Sequence, residues 1–127
     1  MTDLGLERGS LEGATRSQVL AAAKAAADKK GEQTVVFDVG PLFGITDAFV
    51  LTSGANPRHV RTIAEAVEEA VKRSGGGRPR SVEGLKDATW VLMDFGDFVV
   101  HVLERERREY YSLERLWGDA SLVDWAS

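Results

Sequence analysis

Asp94-Phe95-Gly96-Asp97 places two carboxylates three positions apart. Such a pair can bind a divalent metal for phosphoryl transfer when both side chains converge on the ion with further oxygen ligands. The letters also match a kinase metal-binding loop. Here there is no upstream catalytic-loop pattern and no strand lysine, and 127 residues are too few for that fold. The flanking runs, Trp90 to Asp94 and Phe98 to Leu103, read as strands, which makes Phe95-Gly96-Asp97 a glycine-bearing hairpin loop. Divided by a hairpin, the two aspartates do not project from one strand face. Ser53-Gly54 ahead of a helix is a second candidate, since a small loop at a helix N-terminus can hold phosphate by its backbone amides. Nucleotidyltransferases combine such a loop with an Asp-x-Asp pair on a neighbouring strand, and Trp90 to Asp94 offers none.

Other chemistries lack their parts. Cysteine is absent, which removes disulfides, thiolate metal sites and thiol nucleophiles. No Gly-x-Ser-x-Gly, P-loop or His-Glu-x-x-His pattern occurs. His101 lies mid-strand among apolar residues and His59 on the first turn of a helix, a placement that suits structural histidines better than a metal site. The chain reads as a binding protein, not an enzyme, with no cofactor and no metal.

Net charge is −4. A protein that grips bare nucleic acid by its phosphates carries a basic surplus, so DNA is not the expected partner. Lys72, Arg73, Arg78 and Arg80 flank the glycine run Gly75-Gly76-Gly77 and read either as a solvated loop or as a minor contact to RNA phosphate. Trp90, Tyr110, Tyr111, Trp117 and Trp125 lie toward the C-terminus. Tryptophan and tyrosine serve both cores and interface hot spots. Trp90, at the start of a strand and in phase with Leu92 and Asp94, is the best candidate for a binding face.

The elements that position these residues follow from pattern. Met1 to Ala14 is polar, without period, and is expected to be a disordered leader with no secretory or membrane-spanning run, consistent with a cytoplasmic protein. Thr15 or Ser17 caps a helix that puts Val19, Ala22, Ala23 and Ala26 on one face, ended by Lys29, Lys30 and Gly31. Thr34–Val39 and Asp47–Thr52 read as strands. Asn56 caps, and Pro57 opens, a second helix with a stripe of Val60, Ile63, Ala64, Val67 and Val71. Arg78 to Asp87 is polar and mixed. Tyr110 to Trp117 reads as a short amphipathic helix with Ser112 as a possible cap. The sum is a single α/β domain over residues 15–127: a mixed β-sheet of about four or five strands with flanking helices, mainly on one face.

Three blocks resemble one family. Gly44-Ile45-Thr46-Asp47-Ala48-Phe49-Val50-Leu51-Thr52-Ser53-Gly54 with Asn56-Pro57-Arg58-His59-Val60 resembles the first hallmark of RsfS/Iojap proteins. Trp90 to His101 resembles the second, and Tyr110-Tyr111-Ser112-Leu113-Glu114-Arg115-Leu116-Trp117 the third. They follow in family order and spacing over roughly Thr15 to Asp124. The resemblance implies a nucleotidyltransferase-like fold without the catalytic aspartates. It implies a ribosomal silencing factor that binds the large subunit at its protein universally numbered fourteen, blocks joining of the small subunit and represses translation. It also implies a homodimer when free, and, in organelle relatives, a role in ribosome assembly. By position in the hallmarks, Trp90, Asp94, Asp97, His101 and Tyr111 are the expected partner-binding residues. The rival readings are a divergent nucleotide-binding enzyme of nucleotidyltransferase fold and a self-associating scaffold.

Overall fold

The computed structural model describes residues 11, 13–40, 46–111 and 120–126. The chain runs α1 (Gly13–Asp28), β1 (Glu32–Asp38), β2 (Ala48–Gly54), α2 (Pro57–Arg73), β3 (Ser81–Glu83), β4 (Trp90–Asp94), β5 (Phe98–Glu104), α3 (Arg105–Tyr111) and β6 (Ser121–Leu122). The strands form one six-stranded mixed sheet in the order β3-β4-β5-β2-β1-β6. β2 and β5 are parallel at its centre, and the other pairs are antiparallel.

Six strands are more than the expected four or five, and the unexpected ones are β3 and β6. β3 lies in the polar segment and β6 spans two residues, pairing with Phe37 and Asp38. Neither has the apolar alternation that marks a strand; both are strands because a neighbour's open edge accepts their backbone. Helix α1 starts at Gly13, ahead of Thr15, and the Leu11 side chain is buried in the core. The C-terminal helix also starts earlier than expected: Arg105–Tyr111 is helical, and Ser112 to Trp117 lies outside the described residues.

Both long helices cover one sheet face. The buried side of α1 is Val19, Ala22, Ala23 and Ala26; that of α2 is Val60, Ile63, Ala64, Val67 and Val71. They pack on Val36, Val50, Val91, Met93, Phe98, Val100 and Val102. A fully buried Ile or Val such as Ile63 contributes about 1.5–3 kcal/mol. The alanines of α1 let it lie close to α2, because helix separation follows the size of the contacting side chains. α2 begins as its sequence dictates: Asn56 Oδ1 accepts the His59 N–H at 2.9 Å, and Pro57 occupies the first turn. His59 then ties the start of α2 to the end of α1. Its Nδ1 accepts the Ala55 N–H at 2.9 Å, which leaves Nε2 to donate to the Lys29 carbonyl at 2.7 Å.

Candidate protein-docking face

Strand register fixes what the other sheet face presents, because directly paired residues point the same way. Three rows cross it. The first is Trp90, Leu103, Ser53 and Glu32; the second Leu92, His101, Leu51 and Val35; the third Asp94, Val99, Phe49 and Phe37. Leu103, Leu51, His101 and Phe37 are buried, whereas Trp90, Leu92, Asp94, Val99, Phe49 and Val35 are half-buried. Phe37, Val39, Leu51 and Leu103 make a second, smaller core there, with Val35, Phe49, Trp90 and Ala120 packed against it. Neither long helix lies on this side, so an aromatic and aliphatic surface remains partly open around Trp90, Leu92, Val99 and Phe49.

Trp90 is held from several directions. Its indole Nε1–H donates to His101 Nδ1 at 3.2 Å, with ring centroids 6.2 Å apart. His101 in turn meets Phe49 edge-on at 5.3 Å. An imidazole that accepts at Nδ1 carries its proton on Nε2 and is neutral. Burial favours the same state and pushes the His101 pKa down from 6.5 to about 4. The backbone ahead of Trp90 depends on Gly84, at φ +88°, where a Cβ would collide with the Trp90 carbonyl.

The expected site residues separate into groups. Trp90 and His101 touch. Asp94 shares their face but lies four residues from Trp90 along β4, about 13 Å away at the usual strand rise. Its Oδ1 accepts the Gly96 N–H at 2.8 Å, so this carboxylate shapes the hairpin. Asp97 is exposed and turns elsewhere: its Oδ2 accepts from Thr15 Oγ1 at 3.4 Å, and its carbonyl accepts the Asp47 N–H at 2.7 Å. The two aspartates therefore do not converge. The backbone of Tyr111 ends α3, and its side chain lies outside the described residues. Lys72 and Arg78 share a cleft with Glu65, Glu68 and Glu69, and Arg73 pairs with Glu69 at 3.5 Å, so carboxylates counter most of the basic cluster.

Nothing in the residue pattern marks Phe49 as a surface residue, since β2 reads as a continuous apolar run; only the register places it beside His101.

The model of the family described as "Ribosomal silencing factor during starvation", RsfS, matches residues 12–127. The chain belongs to the RsfS family. The Bacillus subtilis ribosomal silencing factor RsfS is 38% identical over 103 residues, covering 81% of this chain and 86% of that protein. The mouse protein named "Mitochondrial assembly of ribosomal large subunit protein 1" is 33% identical, covering 70% of this chain and 40% of its own length. Two solved structures share the fold. One, from Bacillus halodurans, has a TM-score of 0.73 at 33% identity and covers 86% of this chain and 98% of its own. The other, from Chromobacterium violaceum, has a TM-score of 0.76 at 30% identity and covers 91% and 94%. The RsfS match begins at residue 12, which takes in the start of α1 and the residue after buried Leu11.

Proposed function

We propose that this chain is a ribosome-associated silencing factor that docks its open sheet face on the large subunit, at the ribosomal protein universally numbered fourteen, and so blocks the small subunit from joining. The observation that carries the reading is the half-buried surface of Trp90, Leu92, Val99 and Phe49, free of the long helices, in a chain of the RsfS family. A tryptophan fixed by a hydrogen bond and flanked by aliphatic side chains suits an interface anchor, because little entropy is lost when it is covered. The −4 charge suits a basic ribosomal protein as partner. The name of the mouse relative, which speaks of assembly of the ribosomal large subunit, supports the same subunit as partner.

The mechanism is occlusion. No covalent step is required, and the two hairpin aspartates serve the turn and the α1 contact instead of a common ion. The cytoplasm is where such a factor meets ribosomes. Among the described residues no helix is long and apolar enough to cross a membrane. In the free protein the same apolar face is a natural place for a second copy, which makes a homodimer and the ribosome competitors for one surface.

The test is co-sedimentation of the purified protein with isolated large and small subunits, beside a subunit-joining assay. Binding to large subunits alone, inhibition of joining, and loss of both in Trp90→Ala support the reading. Absence of large-subunit binding by the wild type overturns it.

A further inference from the structure

A cluster of charge lies at one end of the sheet, beside the open apolar surface. β5 passes into α3 without a linker, Glu104 being followed directly by Arg105. Arg105 grips the Glu32 carboxylate with both arms, Nε to Oε1 at 2.9 Å and Nη2 to Oε2 at 2.5 Å. One helical turn on, Arg108 is only 4% exposed; its Nη1 donates to the Glu32 carbonyl at 2.9 Å and to Ser53 Oγ at 3.2 Å. The Ser53 hydroxyl itself donates to the same Glu32 carbonyl at 3.2 Å. Glu32 and Ser53 are register partners, and the ladder slips immediately after them, where Gln33 adopts φ +48°. The irregular backbone thus lies beside a carbonyl that two side chains use.

Glu32 and Ser53 stand in the same row as Leu103 and Trp90. At about 4.8 Å between strands, the clasp lies roughly 10–15 Å from Trp90 on the same side of the sheet. Arg105 and Arg108 are held there, so α3 borders the open face at the Trp90 end. We propose that Glu32, Arg105 and Arg108 are positioning residues for docking: they fix the direction in which the chain leaves β5, and with it the border that α3 gives the docking face. Arginine suits the task because its planar fork binds a carboxylate in two places and so sets an orientation, which a lysine does not. A partly exposed pair of this kind adds little to global stability, so its main effect is geometric. This proposal rests on the docking function proposed above.

The experiment compares Glu32→Gln, Arg105→Glu, and Glu32→Arg combined with Arg105→Glu, beside Trp90→Ala. Two readouts are taken: amide hydrogen exchange over residues 105–111 in the free protein, and affinity for isolated large subunits. The expected result is faster exchange in α3 in both single variants, with other helices unchanged, and about three- to tenfold weaker binding. The charge-swapped double variant should recover most of both. Unchanged exchange in α3, or binding by the single variants equal to wild type while Trp90→Ala is impaired, overturns the clasp and leaves the docking function standing. If even the wild type fails to bind, the docking function and this role fall together, while the exchange data still report whether the clasp holds α3.

Discussion

The indole N–H of Trp90 points at Nδ1 of His101, 3.2 Å away on the adjacent strand. The histidine is only 5% exposed. So little of it is exposed that its visible contribution to the face is to set the angle of the tryptophan above it.

Trp90→Ala should weaken large-subunit binding by about 2 kcal/mol or more, roughly thirtyfold, as expected for an interface anchor. Trp90→Phe keeps most of the apolar area but loses the hydrogen bond, and should lie between. Equilibrium binding to purified large subunits checks the order. Equal affinities for all three proteins would remove Trp90 from the interface.

Stability should depend on pH through His101. Its folded pKa, about 4, lies below the ordinary value of 6.5, so between these limits the unfolded chain binds more protons than the folded one. Stability then rises with pH across this window: it is complete above about 6.5 and is lost progressively down to about 4, by an order of 3 kcal/mol. Glu32 adds a separate loss at lower pH, because the hydrogen bond from Arg105 lowers its pKa below 4.5 and protonation breaks the pair. Urea denaturation at pH 5 and pH 7.5 isolates the histidine. In His101→Gln, which can still accept from the indole, the difference between the two pH values should shrink sharply.

Gly84→Ala should be costly for its size. The residue must hold φ +88° and its new methyl would meet the Trp90 carbonyl. A loss of about 1–3 kcal/mol in unfolding free energy is expected, with weaker ribosome binding because the start of β4 must shift. Gly77→Ala, where a Cβ meets open space, is the matched control and should change neither.

Asn56→Ala removes the side-chain acceptor for the His59 N–H at the start of α2. Thermal or chemical denaturation should show about 1 kcal/mol lost. Affinity for large subunits should be unchanged, since the cap is on no row of the docking face. A binding defect as large as that of Trp90→Ala would mean that the face extends around the end of the sheet.

Much of this architecture was legible beforehand because local chemistry and tertiary structure agree. Asn56-Pro57 opens α2, the alternation through Trp90 and Phe98 sets β4 and β5, and the stripes of both long helices are the buried ones observed. β3 and β6 were not legible, since their strand character comes from a neighbour's edge. Of the five residues singled out by the hallmarks, Trp90 and His101 touch, while Asp94 bonds within the hairpin and Asp97 reaches Thr15, a geometry that letters in a motif do not encode. The clasp left no trace in the sequence. Glu32 is 73 residues from Arg105, and the charged run Glu104 to Glu109 looks like any solvated segment until register brings Ser53 opposite Glu32.

The parallel pairing of β2 with β5 has a consequence in time. Every partner in that pair is fifty residues from its mate, Ala48 with Phe98 through Gly54 with Glu104. The hairpin of β4 and β5 closes over a short loop, but the long closure must be completed before Phe49 and His101 share a surface, and long-range pairings are slow to form. During synthesis, a chain whose residue 104 has not yet emerged has no finished sheet face, because Trp90 and Phe49 come together only across the completed β5.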